Sequence, residues 1–207
     1  MSEMSSEGAA AEERIAIVPW MRVSAALFAV AWGGNEFTPL LVMYRQIDQM
    51  SAFSVNVLLG AYVLGIVPAL LLGGPLSDRY GRRPLFVPAP IIAIAGSTLL
   101  AVGASSMPLL FAGRVLSGIA LGLVMAVGTS WVKELSEPPF TTRAVDGRGA
   151  SRAALALTSG FALGAGFAAA LGQFGPIPTA SPYLLHIALT LVALVLLWAA
   201  PESRPRR

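Results

Sequence analysis

The sequence contains no cysteine, a single histidine, and charged residues at only 12% of 207 positions. Without cysteine there is no disulfide framework, no thiolate nucleophile and no thiolate metal site. A soluble domain carries about 25% charged residues. Half that density cannot solvate a globular surface, so lipid must replace water around much of the chain. The net charge of +3 and an isoelectric point near 9.8 would suit nucleic-acid binding if the basic residues shared one soluble face. They are instead scattered through the gaps between apolar runs, which excludes that class. No secretory signal is visible either. Residues Met1 to Glu13 are small, polar and acidic, whereas a signal peptide needs a basic start and a short apolar core. Residues 1–19 therefore read as a disordered cytoplasmic tail.

What is abundant is apolar sequence: 56% of residues are hydrophobic, and the mean hydropathy is +0.72. A helix needs about 20 predominantly apolar residues to cross the hydrocarbon. Stretches that satisfy this run over about 22–44, 53–76, 85–105, 109–132, 153–171 and 183–200. The last two are separated by the turn-forming segment Gln173 to Pro182. Residues 201–207 form a basic tail. Charge placement supports six spans. With an even count both ends lie on one side, and that side collects twelve of the fourteen Lys and Arg, leaving only Arg45 opposite and Arg114 inside a span. Positive residues favour the cytoplasm, so both termini are expected there. The chain is thus expected to be an all-α, multi-pass protein of the plasma (inner) membrane.

The loop between the second and third spans reads Gly74-Pro-Leu-Ser-Asp78-Arg79-Tyr-Gly81-Arg82-Arg83. This string resembles the signature loop of the major facilitator superfamily at every defining position. Gly74 is expected to let helices approach closely, and Gly81 to permit a tight turn. Asp78 is placed to pair with the neighbouring arginines. The resemblance implies that Gly74, Asp78, Arg79, Gly81, Arg82 and Arg83 form a conformational element in which the Asp meets the other half of the transporter. Arg114-Val-Leu-Ser-Gly118-Ile-Ala-Leu-Gly122 resembles a second family motif, and Pro201-Glu202-Ser203-Arg204 the usual exit from the sixth helix. Gly160 and Gly164 loosely resemble the motif associated with antiporters, but Ala165 stands where that motif has proline. Gly118, Gly122, Gly160 and Gly164 read most simply as helix-packing positions. The resemblance covers nearly the whole chain. It implies two inverted three-helix repeats, the amino-terminal half of a twelve-span fold, although no residue-level similarity between the two triplets is visible.

Glu36 carries the most information. It lies fourteen positions after Arg22 and nine before Arg45, which at about 1.5 Å per residue is near the bilayer midplane. A carboxyl there must be protonated, paired or wetted. Glu36 is thus a candidate for proton coupling or for binding a cationic group; the plainer alternative is a hydrogen bond at a helix break, since Gly33, Gly34 and Pro39 flank it. Arg114, about 9 Å inside the fourth span by helical rise, is its candidate partner, and snorkelling to the interface is the alternative. Asn35 and Asn56 are further cavity candidates. His186, near the start of the sixth span, reads as interfacial in preference to a proton relay. No metal cluster, nucleophile–base set or phosphate-binding loop points to an enzyme, and no cofactor is expected. The expected function is secondary transport of a small solute, ion- or proton-coupled, in partnership with the bilayer and a second six-helix half. The alternative is a truncated or regulatory half that does not transport alone.

Overall fold

A computed structural model describes residues 18–47, 50–141 and 147–204. The tail expected over 1–19 lies outside the described residues up to position 17, as does that over 201–207 beyond 204. Among the described residues the chain is helical, without strands. Six helices are long and apolar enough to cross a membrane: α1 (Pro19–Arg45), α2 (Ala52–Tyr80), α3 (Arg82–Val102), α4 (Met107–Leu135), α5 (Arg148–Phe174) and α6 (Ser181–Trp198). Several outrun their apolar stretches. Helix α2 continues through Asp78 and Arg79, and α5 starts at Arg148. Hydropathy marks the hydrocarbon slab, whereas the backbone ladder continues into the polar interface.

Helix α1 is broken. Its segments Pro19–Asn35 and Phe37–Ile47 meet at Glu36. Pro39 has no N–H to offer the Asn35 carbonyl, and Gly33 and Gly34 weaken the helix just before the break. Helix α4 contains one π-helical turn, Val124–Gly128.

The packing is symmetric. Helix α2 packs on α4 and α1 on α5; α3 packs on α4 and α6 on α1; α3 and α6 pack on each other. Exchanging the first three helices for the last three maps this list onto itself. Because three crossings is an odd number, the two triplets run in opposite senses, which makes them inverted repeats. Matching small residues close the two equivalent contacts. A Cβ on Gly118 would sit 3.1 Å from the Gly65 Cα, and one on Gly122 2.7 Å from the Ala69 Cβ. Across α5 and α1, a Cβ on Gly160 would sit 2.9 Å from the Ala31 Cβ, and one on Gly164 2.8 Å from the Trp32 Cα. Gly74 departs from its expected packing role. A Cβ there would meet nothing within 4 Å, and the close approach belongs to Gly73, 3.0 Å from the Ala126 Cβ.

The buried apolar residues form two clusters, one around Leu27, Phe86, Trp131 and Leu197, the other around Phe37, Tyr44, Leu110 and Tyr183. Helices α1, α3, α4, α5 and α6 contribute to both. Along four of them, buried polar residues lie between the two contributions: Glu36 on α1, Ser97 on α3, Arg114 and Ser117 on α4, and His186 and Thr190 on α6. A polar layer thus divides the apolar core.

Candidate functional site

The break in α1 gives this layer its geometry, because it presents Glu36 and Phe37 in succession to the bundle interior. Glu36 is fully buried. Its Oε1 lies 3.3 Å from the Ser97 Oγ and 3.8 Å from the His186 Nδ1. Its Oε2 has no hydrogen-bond partner among the described residues. Arg114 is also buried, at 1% exposure, and does not snorkel. Its guanidinium carbon sits 3.9 Å from the Tyr62 ring centroid and 4.5 Å from that of Phe37. This aromatic sandwich takes the place of a counter-ion. Arg114 Nε donates to the Leu58 carbonyl at 3.5 Å, while Nη1 has no partner among the described residues. Glu36 and Arg114 therefore share a layer without a hydrogen bond between them, each keeping one unpartnered polar atom.

Beside Arg114 is a cavity of about 410 Å³ whose lining includes Gly34, Asn35, Thr38, Tyr62, Arg114 and Phe161; Glu36 follows Asn35 in the chain but does not itself line it. The Asn35 Nδ2 donates to the Phe161 carbonyl at 3.3 Å, tying the α1 break to α5. Asn56 is not brought to this place. It is exposed on α2 and does not line the cavity. A second cavity, of about 450 Å³, is lined by Pro39, Leu40, Met43, Ala169 and their neighbours, with no ionisable side chain.

His186 corrects the interfacial expectation. It is 1% exposed. Its Nδ1 is 2.7 Å from the Ser97 Oγ and its Nε2 3.1 Å from the Ala29 carbonyl oxygen. The ring lies flat against Gly33, where a Cβ would collide with three ring atoms. Distance along the sixth span suggested an interface; the approach of α1 through Gly33 instead encloses the ring.

A second polar assembly surrounds the turn between α2 and α3. Gly81 adopts φ +99°, a left-handed value that favours glycine. Asp78 pairs with Arg82 and with Arg204, each at 2.9 Å. Arg82 Nη2 reaches Glu134 at 2.8 Å. Glu202 caps the start of α3, accepting from the backbone N–H groups of Arg82 at 3.0 Å and Arg83 at 2.9 Å. Arg83 donates to the Trp198 carbonyl at 2.8 Å. Arg79 is exposed, with its guanidinium near the Tyr80 ring, outside the network. The sequence reading missed Glu134. Its only signal was a carboxylate at the polar end of the fourth apolar stretch, close to a second one at Glu137.

Among the described residues, six apolar helices are folded as inverted repeats around a buried acid and a buried arginine, the architecture of an integral membrane bundle. The family profile described as Major Facilitator Superfamily matches residues 23–207, and the chain belongs to that family. Solved structures agree on the fold. The Escherichia coli xylose transporter XylE, in a partially occluded inward-open conformation, superposes with a TM-score of 0.71 at 18% identity, over 89% of this chain and 50% of that one. The human organic anion transporter MFSD10 gives a TM-score of 0.63 at 20% identity, over 92% and 50%. Among sequence relatives, the facilitated glucose transporter member 10 of Xenopus tropicalis is 30% identical over 98 residues, 47% of this chain and 18% of its own length. The 3-(3-hydroxy-phenyl)propionate transporter of Escherichia coli is 32% identical over 116 residues, 56% and 26%. The chain thus spans about half the length of the transporters whose fold it shares, and less of the curated relatives it matches.

Proposed function

We propose that the chain supplies one wall of a proton-coupled secondary transporter for a small polar solute, with Glu36 as the coupling carboxyl. The observation that carries this reading is the pair of buried polar atoms without a partner among the described residues, Glu36 Oε2 and Arg114 Nη1, with Arg114 lining the cavity at the α1 break and Glu36 next in the chain to its lining residue Asn35. A buried acid that lacks its full set of hydrogen bonds is costly to retain unless it changes partners during function. Proton loading and solute binding are the changes available to it. The relatives carry chemically different cargoes, so the solute is proposed only as small and polar.

A second six-helix half completes the cavity in this reading, as a second copy or a separate chain. Two features support it. Helices α2 and α5 have only 28% and 17% of their most apolar stretches buried, against 67% for α1. Their glycines Gly60 and Gly166 face open space, and small residues are what transmembrane helices bring to close contacts. The charge asymmetry supports a reading in which both termini face the cytoplasm at an inner membrane.

The test is uptake of labelled D-xylose, D-glucose and 3-(3-hydroxyphenyl)propionate by the full chain in proteoliposomes, with and without an inward proton gradient. Uptake that the gradient accelerates, and that Glu36→Gln makes indifferent to the gradient, is the expected result. Unchanged gradient dependence in that variant would refute coupling through Glu36. Absence of any uptake by a strictly monomeric preparation would favour the regulatory or truncated reading.

A further inference from the structure

We infer that Ser97 and His186 form a proton relay with Glu36, extending the coupling site across three helices. The inference rests on the coupling role proposed for Glu36, but its geometry is separate from the cavity, which none of Glu36, Ser97 and His186 lines.

Hydrogen-bond accounting defines the device. The Ala29 carbonyl can only accept, so His186 Nε2 carries a proton and donates it at 3.1 Å. In a neutral ring Nδ1 is then bare and accepts from the Ser97 hydroxyl at 2.7 Å. Ser97 has one proton. Once it is given to His186, the contact of 3.3 Å with Glu36 Oε1 is a hydrogen bond only if Glu36 is protonated and donates. The first state is therefore Glu36 carboxylic acid, Ser97 hydroxyl, neutral His186. The second state needs no heavy atom to move. The Glu36 proton passes to Ser97 Oγ while the Ser97 proton passes to His186 Nδ1. Glu36 becomes a carboxylate that accepts from Ser97, and His186 becomes an imidazolium that donates to it. One proton crosses, no bond between heavy atoms changes, and the total charge is conserved. Direct transfer is disfavoured, because Oε1 and Nδ1 are 3.8 Å apart, beyond hydrogen-bond range. The serine is the necessary bridge.

The surroundings suit two states. Arg114 on α4, Tyr62 on α2, and Tyr44 and Tyr183 on α1 and α6 are the charged or titratable groups around this layer. Arg114 is the fixed cation that would balance the carboxylate of the second state. The three relay residues are between 0% and 1% exposed, so bulk water does not short-circuit the transfer. They also sit on three helices, α1, α3 and α6, so sliding of any one makes or breaks the chain.

His186 is the only histidine, so histidine-selective ¹⁵N labelling of the full chain, purified on a histidine-free tag into lipid nanodiscs, reads this ring alone. The relay predicts that the ring at neutral pH carries its proton on Nε2. It also predicts that Nδ1 gains and loses a proton reversibly, and that Glu36→Gln changes that titration. Ser97→Ala should slow exchange at Nδ1 at least tenfold while the titration persists, and Ser97→Thr, which keeps the hydroxyl, should restore it. A ring that never titrates, or that exchanges equally fast in Ser97→Ala, overturns the relay. Gradient-indifferent uptake in wild type and Glu36→Gln alike overturns the coupling reading instead, so the two failures are distinguishable.

Discussion

At the scale of single residues, Arg114 separates charge from shape. A lysine would keep the charge, but it lacks the planar face that stacks between Tyr62 and Phe37. Desolvated cation–π contacts contribute about 2 kcal/mol, and an Arg-to-Lys exchange at a stacked site is not conservative. Arg114→Lys should therefore lower thermal stability in detergent by about 1–2 kcal/mol. A variant as stable as the wild type would mean that the rings contribute packing only. Such residue-level facts were partly legible. Glu36 announced itself because a carboxyl amid apolar sequence is conspicuous wherever it falls. Ser97 did not, since a serine inside a span is commonplace, and its importance comes from two partners 61 and 89 positions away. His186 was visible but misplaced for the same reason, since depth along one helix says nothing about which neighbour covers it. Asn56 had the right chemistry on the wrong face.

At the scale of elements, the small-residue contacts carry the architecture. The α1–α5 and α2–α4 contacts are equivalent under the internal symmetry, and each is closed by two glycines four apart. The pattern of glycines was readable from spacing, but which of them touch was not. Gly164 and Gly166 are only two positions apart, yet a Cβ on the first would collide with the Trp32 backbone, and one on the second would meet nothing within 4 Å. Gly164→Val should consequently cost about 1–3 kcal/mol through overpacking, read as a fall in melting temperature. Gly166→Ala should stay within about 0.5 kcal/mol of wild type, as substitutions away from contacts do. Equal effects at the two positions would contradict the placement of α5 against α1. The turn between α2 and α3 makes the same point in charges. Its signature string was legible in full, and Glu202 stood in a recognisable string just past α6, whereas Glu134, at the end of α4, has no local pattern; that the two complete the ion pairs and the helix cap was visible in neither string.

At the scale of the whole molecule, orientation in the bilayer is the property that charge placement decides. Helix α2 ends at the arginine-rich turn, and α5 ends three helices later, at a segment without a formal charge. An odd number of crossings separates the two ends, so they must lie on opposite faces whatever the sidedness. The cytoplasmic leaflet and the membrane potential both favour the basic face inside. The absence of cysteine turns this into a clean experiment, because each introduced thiol is the only one. Arg79→Cys replaces an exposed residue outside the ion-pair network, and Phe174→Cys one that is 80% exposed at the end of α5. In intact cells a membrane-impermeant maleimide should label Phe174→Cys and spare Arg79→Cys, and in inverted vesicles the preference should reverse. Labelling of both from one side would break the six-helix count itself. Reversed preference throughout would keep the count and invert the bundle, which would place the arginine-rich turn against the potential that is expected to hold it inside.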